Sequence, residues 1–414
     1  MHLKKPITIF MLILLFILLY ACNPKLISDS AQSKPEEPQV ESETNTPPQE
    51  PSADEHVLGL PYPGGVCSMD SSGENIACFD IYGRQLASLQ IPGLGGPDAQ
   101  RMHIAGQLGA DSPIPPIVFY SWNPIQALFV FENGSAATLR NTGAFLALAG
   151  APSQPVMAFS EVAYEDNAPH SYIYAGNLQT LGSAESFYDL KDELNAMALM
   201  PVTVEAANGQ PQKVWYTHTA WGIGGGDIIY PINRGLYVFD LTTQQNLQAL
   251  GYEQNFQGLS PDKTLAGSIS FDFNGDLSLQ VTNLVTGKSF SFPLNPSSDR
   301  GAGYAVFSNE GKYAAWLEAS GSMVAEPPTF LTRIRVGEIT SMAVVAEIDS
   351  VSAAQAMGWE RVSFMKPVGW LDAQTVVVEV RGNDWPTAAL VKFDIASGNL
   401  TVLCPGSFAG FAFP

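Results

Sequence analysis

Apolar residues in this chain come in short runs that alternate with polar ones and are broken by turn residues. In GLYVFDLTTQQNLQAL (235–250), LSLQVTNLVTGKSFSFPL (277–294), TRIRVGEITSMAVVAEI (332–348) and AALVKFDIASGNLTVL (388–403), the alternation has period two on both sides of a turn such as TTQQ, VTGK or ASGN. Half-buried antiparallel strands joined as hairpins have this signature. A second pattern is a short apolar approach, a polar turn rich in Asp, Asn, Glu, Gly or Pro, and then a β-rich run. It occurs in CSMDSSGENIACF (67–79), YSWNPIQALFVF (120–131), FSEVAYEDNAPHSYIY (159–174), EAANGQPQKVWYT (205–217), LSPDKTLAGSI (259–269), FSNEGKYAAWL (307–317) and GWLDAQTVVVEV (369–380). These stretches repeat at intervals of about 40–60 residues, and four of them are followed by one of the alternating hairpins. A unit therefore holds two hairpins, or four strands. The arrangement predicts an all-β fold, a β-propeller of four-stranded antiparallel blades, seven in number, with six or eight left open.

The turn in LSPDKTLAGSI has a physical rationale. Proline fixes φ at the first turn position, and the aspartate side chain accepts backbone N–H groups that the reversal leaves unpaired. The small residues Ala266, Gly267 and Ser268 then enter a strand that neighbouring blades can approach closely. SPDKTLAG and SNEGKYAAW resemble the repeats of the TolB-like, WD-repeat-related propellers, whose signature is S-P-D-G-K followed by an apolar run. The resemblance is clear at 259–269 and 307–317 and partial at 369–380. It implies a propeller fold, and that fold hosts unrelated activities. The run CPGSFAGFAFP (404–414) is too short for a blade, so Phe408 to Phe413 are expected to complete the first or last blade beside the strand near Leu58.

The N-terminal pattern is of a different kind. Lys4 and Lys5 precede an apolar stretch of 16 residues, Pro6 to Ala21, which stops at Cys22. This is the layout of an export signal, and it is shorter than the roughly 20 residues of a spanning helix. LLYAC resembles the cleavage and lipidation box of bacterial lipoproteins, with Tyr20 where that family usually carries a smaller residue. The resemblance implies a diacylglycerol on Cys22; an uncleaved signal anchor is the rival reading. Both tether the chain to a membrane, facing outside the cytoplasm. Residues 23–56 hold eight Asp or Glu against two Lys, many prolines and almost no large apolar side chain. They read as a disordered, extended tether. The expected organisation is a signal with its lipidation cysteine over 1–22, a tether over 23–56 and a propeller over 57–414.

Composition and charge narrow the function classes. Hydrophobic residues make up 46% of the chain, and charged residues only 14%. Such a chain is turn-rich and polar through Ser, Thr, Asn and Gln. The net charge of −20 repels phosphate backbones and excludes nucleic acid as a partner. In an oxidising compartment, Cys67 and Cys78 flank a turn symmetrically and would face each other as a cross-strand disulfide, or else sit as two small buried residues. Cys404 is then left as a buried thiol or pairs with one of them.

If the SPD-type turns join the first two strands of each blade, the longer connections from second to third strand gather on the opposite rim. These are WGIGGGDIIYPINR (221–234), EASGSMVAEPPT (318–329) and RGNDWP (381–386). Several irregular loops on one rim of a rigid ring form the default binding surface. The candidate ligand contacts are Trp221, Asp227, Glu318, Glu326, Arg381, Asp384 and Trp385, set against the alternative that these loops simply pack over the ring. GIGGGD lacks the Lys-Ser/Thr of a phosphate loop. Asp272 to Asp276 has the opening spacing of a calcium loop, but Leu277 and Asn283 stand where such a loop needs glycine and glutamate. No G-x-S-x-G and no H-x-x-x-H occurs, so neither a catalytic residue, a metal site nor a cofactor is assigned. His218 reads as a strand residue, and Trp122, Trp316 and Trp370 read as core. The sequence thus points to a membrane-anchored binding or interaction scaffold for a protein, peptide or glycan ligand. The alternative is a propeller-type glycosidase or lyase that acts on an extracellular saccharide, with a carboxylate pair drawn from Glu318, Glu326 and Asp384.

Overall fold

The computed structural model of the chain describes residues 62–91, 102–104, 116–121, 127–132, 134–141, 144–151, 154–165, 168–191, 197–220, 229–270, 276–325, 329–383 and 387–413. Blade one contains β1 (Gly65–Met69), β2 (Asn75–Asp80) and β3 (Gln85–Gln90). Blade two is β4 (Met102–Ile104), β5 (Ile117–Ser121), β6 (Ala127–Glu132) and β7 (Ser135–Asn141). Blade three is β8 (Ala144–Gly150), β9 (Val156–Glu165), β10 (Ala168–Asn177) and β11 (Ser186–Lys191). A seven-stranded sheet follows: β12 (Met197–Ala207), β13 (Gln210–Ala220), β14 (Asn233–Asp240), β15 (Gln245–Leu259), β16 (Leu265–Ser270), β17 (Gln280–Asn283) and β18 (Ser289–Ser291). Blade six is β19 (Ala302–Phe307), β20 (Tyr313–Ser320), β21 (Leu331–Glu338) and β22 (Ala343–Asp349). After helix α1 (Ser350–Met357), blade seven is β23 (Val362–Trp370), β24 (Thr375–Gly382), β25 (Ala388–Asp394) and β26 (Leu400–Pro405). The last strand, β27 (Ser407–Ala412), pairs with β1 and gives blade one its inner strand.

The seven-stranded sheet is two blades fused through one strand. Residues 245–250 of β15 pair with β14 as the outer strand of blade four, and residues 254–259 pair with β16 as the inner strand of blade five. Two buried asparagines pin this passage: Asn255 Oδ1 accepts the Asn233 N–H at 2.8 Å, and Asn233 Nδ2 donates to the Phe256 carbonyl at 3.2 Å. With β15 counted in both, the sheets make seven four-stranded blades among the described residues.

The apolar residues explain why thin sheets persist. Among the described residues the core forms seven clusters, and each one crosses a boundary between adjacent blades. Trp316, Phe292 and Phe307 join blades five and six, while Val66, Phe79, Leu390 and Leu403 join blades seven and one. The last boundary closes the ring. Close backbone approach sharpens the fit: a Cβ on Gly258 of β15 would sit 1.9 Å from the Ala305 carbonyl oxygen of β19, so only glycine is accommodated there.

Local chemistry sets the turns. Ser260 Oγ accepts the Leu265 N–H at 2.9 Å, and Asp262 accepts the Thr264 N–H at 3.1 Å. In the next blade, Ser308 Oγ accepts from Lys312 and Tyr313 at 3.1 and 3.0 Å. Asn208 and Gly209 both have positive φ, 53° and 69°, and close the β12–β13 hairpin as a two-residue turn.

The repeat frame differs from the sequence expectation in the first half of the ring. The turns starting near Glu205, Ser260, Ser308 and Trp370 do join inner to second strands, but those near Ser68, Ser121 and Ser160 join second to third strands. In blade one the reason is that the inner strand comes from the far end of the chain, so the first local hairpin is one strand further out; in blades two and three the inner strands β4 and β8 are local, and it is the buried second strands β5 and β9 that read as if they opened the blade. The closing strand completes blade one, as expected, beside Gly65–Met69; Leu58 lies outside the described residues. The four alternating hairpins are the third and outer strands of blades four to seven. No helix among the described residues is long and apolar enough to cross a membrane.

Candidate functional site

The second-to-third-strand connections and the links between blades share one rim of the ring, which we call the upper rim. Of the seven sequence-predicted contacts, Trp221, Asp227, Glu326, Asp384 and Trp385 lie outside the described residues, as do Asp272 to Gly275 of the calcium-like spacing and Trp122. Glu318 and Arg381 are described, and neither is a loop residue. Glu318 belongs to β20 and is 1% exposed. Its oxygens accept from Arg335 NH1 at 2.7 Å, Trp316 Nε1 at 3.0 Å, Ser298 Oγ at 2.7 Å and the Asn295 N–H at 3.0 Å. The carboxylate therefore ties the link from blade five to blade six onto the second strand. With its acceptor sites taken up inside the protein, it is a structural group, which corrects its expected role as a ligand contact.

Arg381 lies in β24 and does the equivalent work two boundaries later, where blade seven leads into the closing strand. Its NH2 is 2.6 Å from Glu379 Oε1 and 3.3 Å from Ser407 Oγ, while the Phe408 N–H donates to Glu379 Oε2 at 3.2 Å. This pair holds the start of the closing strand β27. Glu161, in blade three, is raised by burial against the opposing pull of Arg140, 3.7 Å away. Among the described residues, no group of three or more His, Cys, Asp or Glu is placed to hold a metal ion.

Two clefts open on the upper rim. One, of about 450 Å³, lies between blades seven and one and is lined by Ser68, Asp70, Asn75, Thr387 and Gly406. Asp70 is tied up locally: it accepts from the N–H groups of Ser72 and Gly73 at 3.1 and 3.0 Å and from Asn75 Nδ2 at 2.7 Å. The other, of about 460 Å³, lies between blades six and seven beside α1, and its walls include Leu331, Val351, Ala354, Trp359 and Arg361. Sequence reading missed this second cleft. Its signal was available in DSVSAAQAMG (349–358), where a capping aspartate, an alanine-rich run and a terminal glycine mark a helix inside an all-β chain. Asp349 accepts the Ser352 N–H at 2.8 Å, and Gly358 takes φ 66° to end the helix.

The opposite rim differs in character. Its pocket of about 210 Å³ is formed by the ends of inner strands and is lined by Phe307, Trp370, Phe411, Phe413, Pro63 and Pro261. Tyr62 donates from its hydroxyl to Glu310 there, and burial, then Glu310, raises the Tyr62 phenol. The first described residues thus join the ring on the rim away from the two clefts. Trp316 and Trp370 are core residues, 0% and 3% exposed, and His218 is in strand β13. Cys67 and Cys78 are directly opposed across β1 and β2 and form a disulfide, with Cα atoms 4.0 Å apart. Cys404 is a buried free thiol in β26.

No protein-family model and no curated protein sequence matches the chain. Solved structures do. The chain is similar to the structure of two prolyl endopeptidases, at 8% identity and a TM-score of 0.51, over 83% of this chain and 50% of that one. It is also similar to puromycin hydrolase, solved as an S511A mutant complexed with PGG, at 13% identity and a TM-score of 0.50, over 84% and 54%. TolB from Acinetobacter baumannii matches at 15% identity and a TM-score of 0.38, over 84% and 80%. The chain spans about half the length of the two hydrolytic enzymes. At identities this low the likeness concerns architecture alone, and with the sheet topology it makes this chain a β-propeller.

Proposed function

We propose that the protein is a membrane-tethered, extracytoplasmic propeller that binds a ligand on its upper rim. The observation that carries this reading is the use of the buried carboxylates there. Glu318 and Glu379 are each held by an arginine and by one backbone N–H, from Asn295 in an inter-blade link and from Phe408 at the start of β27, so they stiffen the upper rim. A rigid rim with preformed clefts supports recognition at small entropic cost. A lipid on Cys22 and export from the cytoplasm complete the proposal, and the Cys67–Cys78 disulfide suits an oxidising compartment.

A glycan and peptide binding screen with the full-length protein tests the reading. It should find a ligand, and Trp221→Ala or Trp385→Ala should weaken it if the rim loops take part. Turnover of a bound saccharide would replace the scaffold with an enzyme. Mass analysis of the mature N-terminus tests the anchor: a diacylglycerol on Cys22 is expected, lost in Cys22→Ser.

A further inference from the structure

The cleft between blades six and seven has a chemistry of its own. The one α-helix among the described residues, α1, builds one wall, and the indole of Trp359 follows directly after it. At its inner end, through Leu331, Ser350 and Val351, the cleft adjoins a smaller cavity of about 90 Å³. Ser297, Ser298, Thr332, Arg333 and Asp349 line that cavity. Thr332 is 1% exposed, and its hydroxyl has no hydrogen-bond partner among the described residues. A buried hydroxyl left unpaired costs about 1–3 kcal/mol, so a ligand that pairs with it gains what the free protein lacks. Arg333 NH1 donates to Ser297 Oγ at 3.2 Å, and its Nε lies 3.8 Å from Glu347. Burial acts to raise the Asp349 carboxyl, but hydrogen bonds from Ser352 and the nearby Arg333 guanidinium hold it below the usual carboxylate range. It is therefore an acceptor at neutral pH.

We propose that this cleft is a saccharide-binding site. The inference rests on the binding reading above and names the ligand class for one part of that rim. Sugar hydroxyls both donate and accept, and so match the Thr332 hydroxyl and its serine neighbours set beside the Asp349 carboxylate and the Arg333 guanidinium, with the Glu318 carboxylate, held by Arg335, also in the cavity wall. The Trp359 indole lines the adjoining larger cleft, and an indole there suits the C–H face of a pyranose. The larger cleft falls within the range of small-ligand pockets, about 300–1,000 Å³. A peptide is matched less well, because strand addition needs an open sheet edge and both β20 and β21 are paired on either side.

The test is a calorimetric titration of the full-length protein with a panel of neutral and uronic-acid oligosaccharides, beside a random peptide library. At least one oligosaccharide should bind, with affinity reduced about tenfold or more by Trp359→Ala and by Thr332→Val. Thr332→Val removes only the unpaired hydroxyl at nearly constant shape, so its melting temperature should not fall, and it keeps the test readable if Trp359→Ala folds poorly. Oligosaccharide binding unchanged in Thr332→Val and in a folded Trp359→Ala overturns the cleft and leaves the rim reading standing. Binding of peptides alone overturns the saccharide class. No binding of either probe removes both proposals.

Discussion

Lys263 holds a left-handed backbone, φ 63°, at the turn position that Gly311 occupies with φ 64° in the next blade. An L-residue pays roughly 1–2 kcal/mol for that conformation, and glycine returns part of it as chain entropy. Lys263→Gly is therefore expected to stabilise the protein by about 1 kcal/mol, read as a higher urea midpoint at unchanged m-value. Glu318 behaves in the opposite way, because Glu318→Ala leaves the Arg335 guanidinium buried beside an empty partner site. A loss of about 3–5 kcal/mol is expected in chemical denaturation, only partly recovered when Arg335→Met is combined with Glu318→Met, because Trp316 Nε1, Ser298 Oγ and the Asn295 N–H still lose their acceptor. Cys404 gives a third residue-scale expectation. Burial pushes its thiol up to about 11, with the Ser68 side chain pulling the other way. At pH 8 almost no thiolate is present, so peptide mapping should show iodoacetamide on Cys404 only after the protein is unfolded.

Strands in this fold carry different sequence signals according to their place in a blade. Outer strands such as β22, with the burial pattern eieieBi, alternate strictly, and their hairpins were readable. Second strands such as β20 and β24 are buried on both faces, so they read as apolar runs whose position within a blade is ambiguous. That ambiguity shifted the frame of the first three blades by one strand. The disulfide bears on the β1–β2 hairpin, which sits at the boundary between blades one and two. Removing it as Cys67→Ala with Cys78→Ala should cost about 2–3 kcal/mol, measured by denaturation of the double variant against the oxidised protein. The continuity of β15 through two blades was not legible, since Gly251 between its two halves reads as an ordinary break after the hairpin.

At the scale of the molecule, stability depends on closure. Inner strands touch between most neighbouring blades, and Phe411 of β27 packs against Gly369 of β23, where an added Cβ would come within 2.4 Å of the phenyl ring. Removing residues 406–414 takes away the inner strand of blade one and exposes the edge of β1. The truncated protein is expected to lose its single cooperative transition in thermal unfolding and to self-associate on size-exclusion chromatography.

Local chemistry determined much of this protein. Turns such as SPDK and NG, the period-two hairpins and the cross-strand cysteines depend on residues a few positions apart, so the sequence alone could specify them. The repeat frame, the partners of Glu318 and Arg381 and the cleft beside α1 depend on segments far apart in the chain. Ser407 meets Met69 because the ring closes, and Ser297 meets Arg333 because the link into blade six packs against that blade's third strand. No periodicity encodes those meetings; the burial of each blade's apolar faces against its two neighbours decides them.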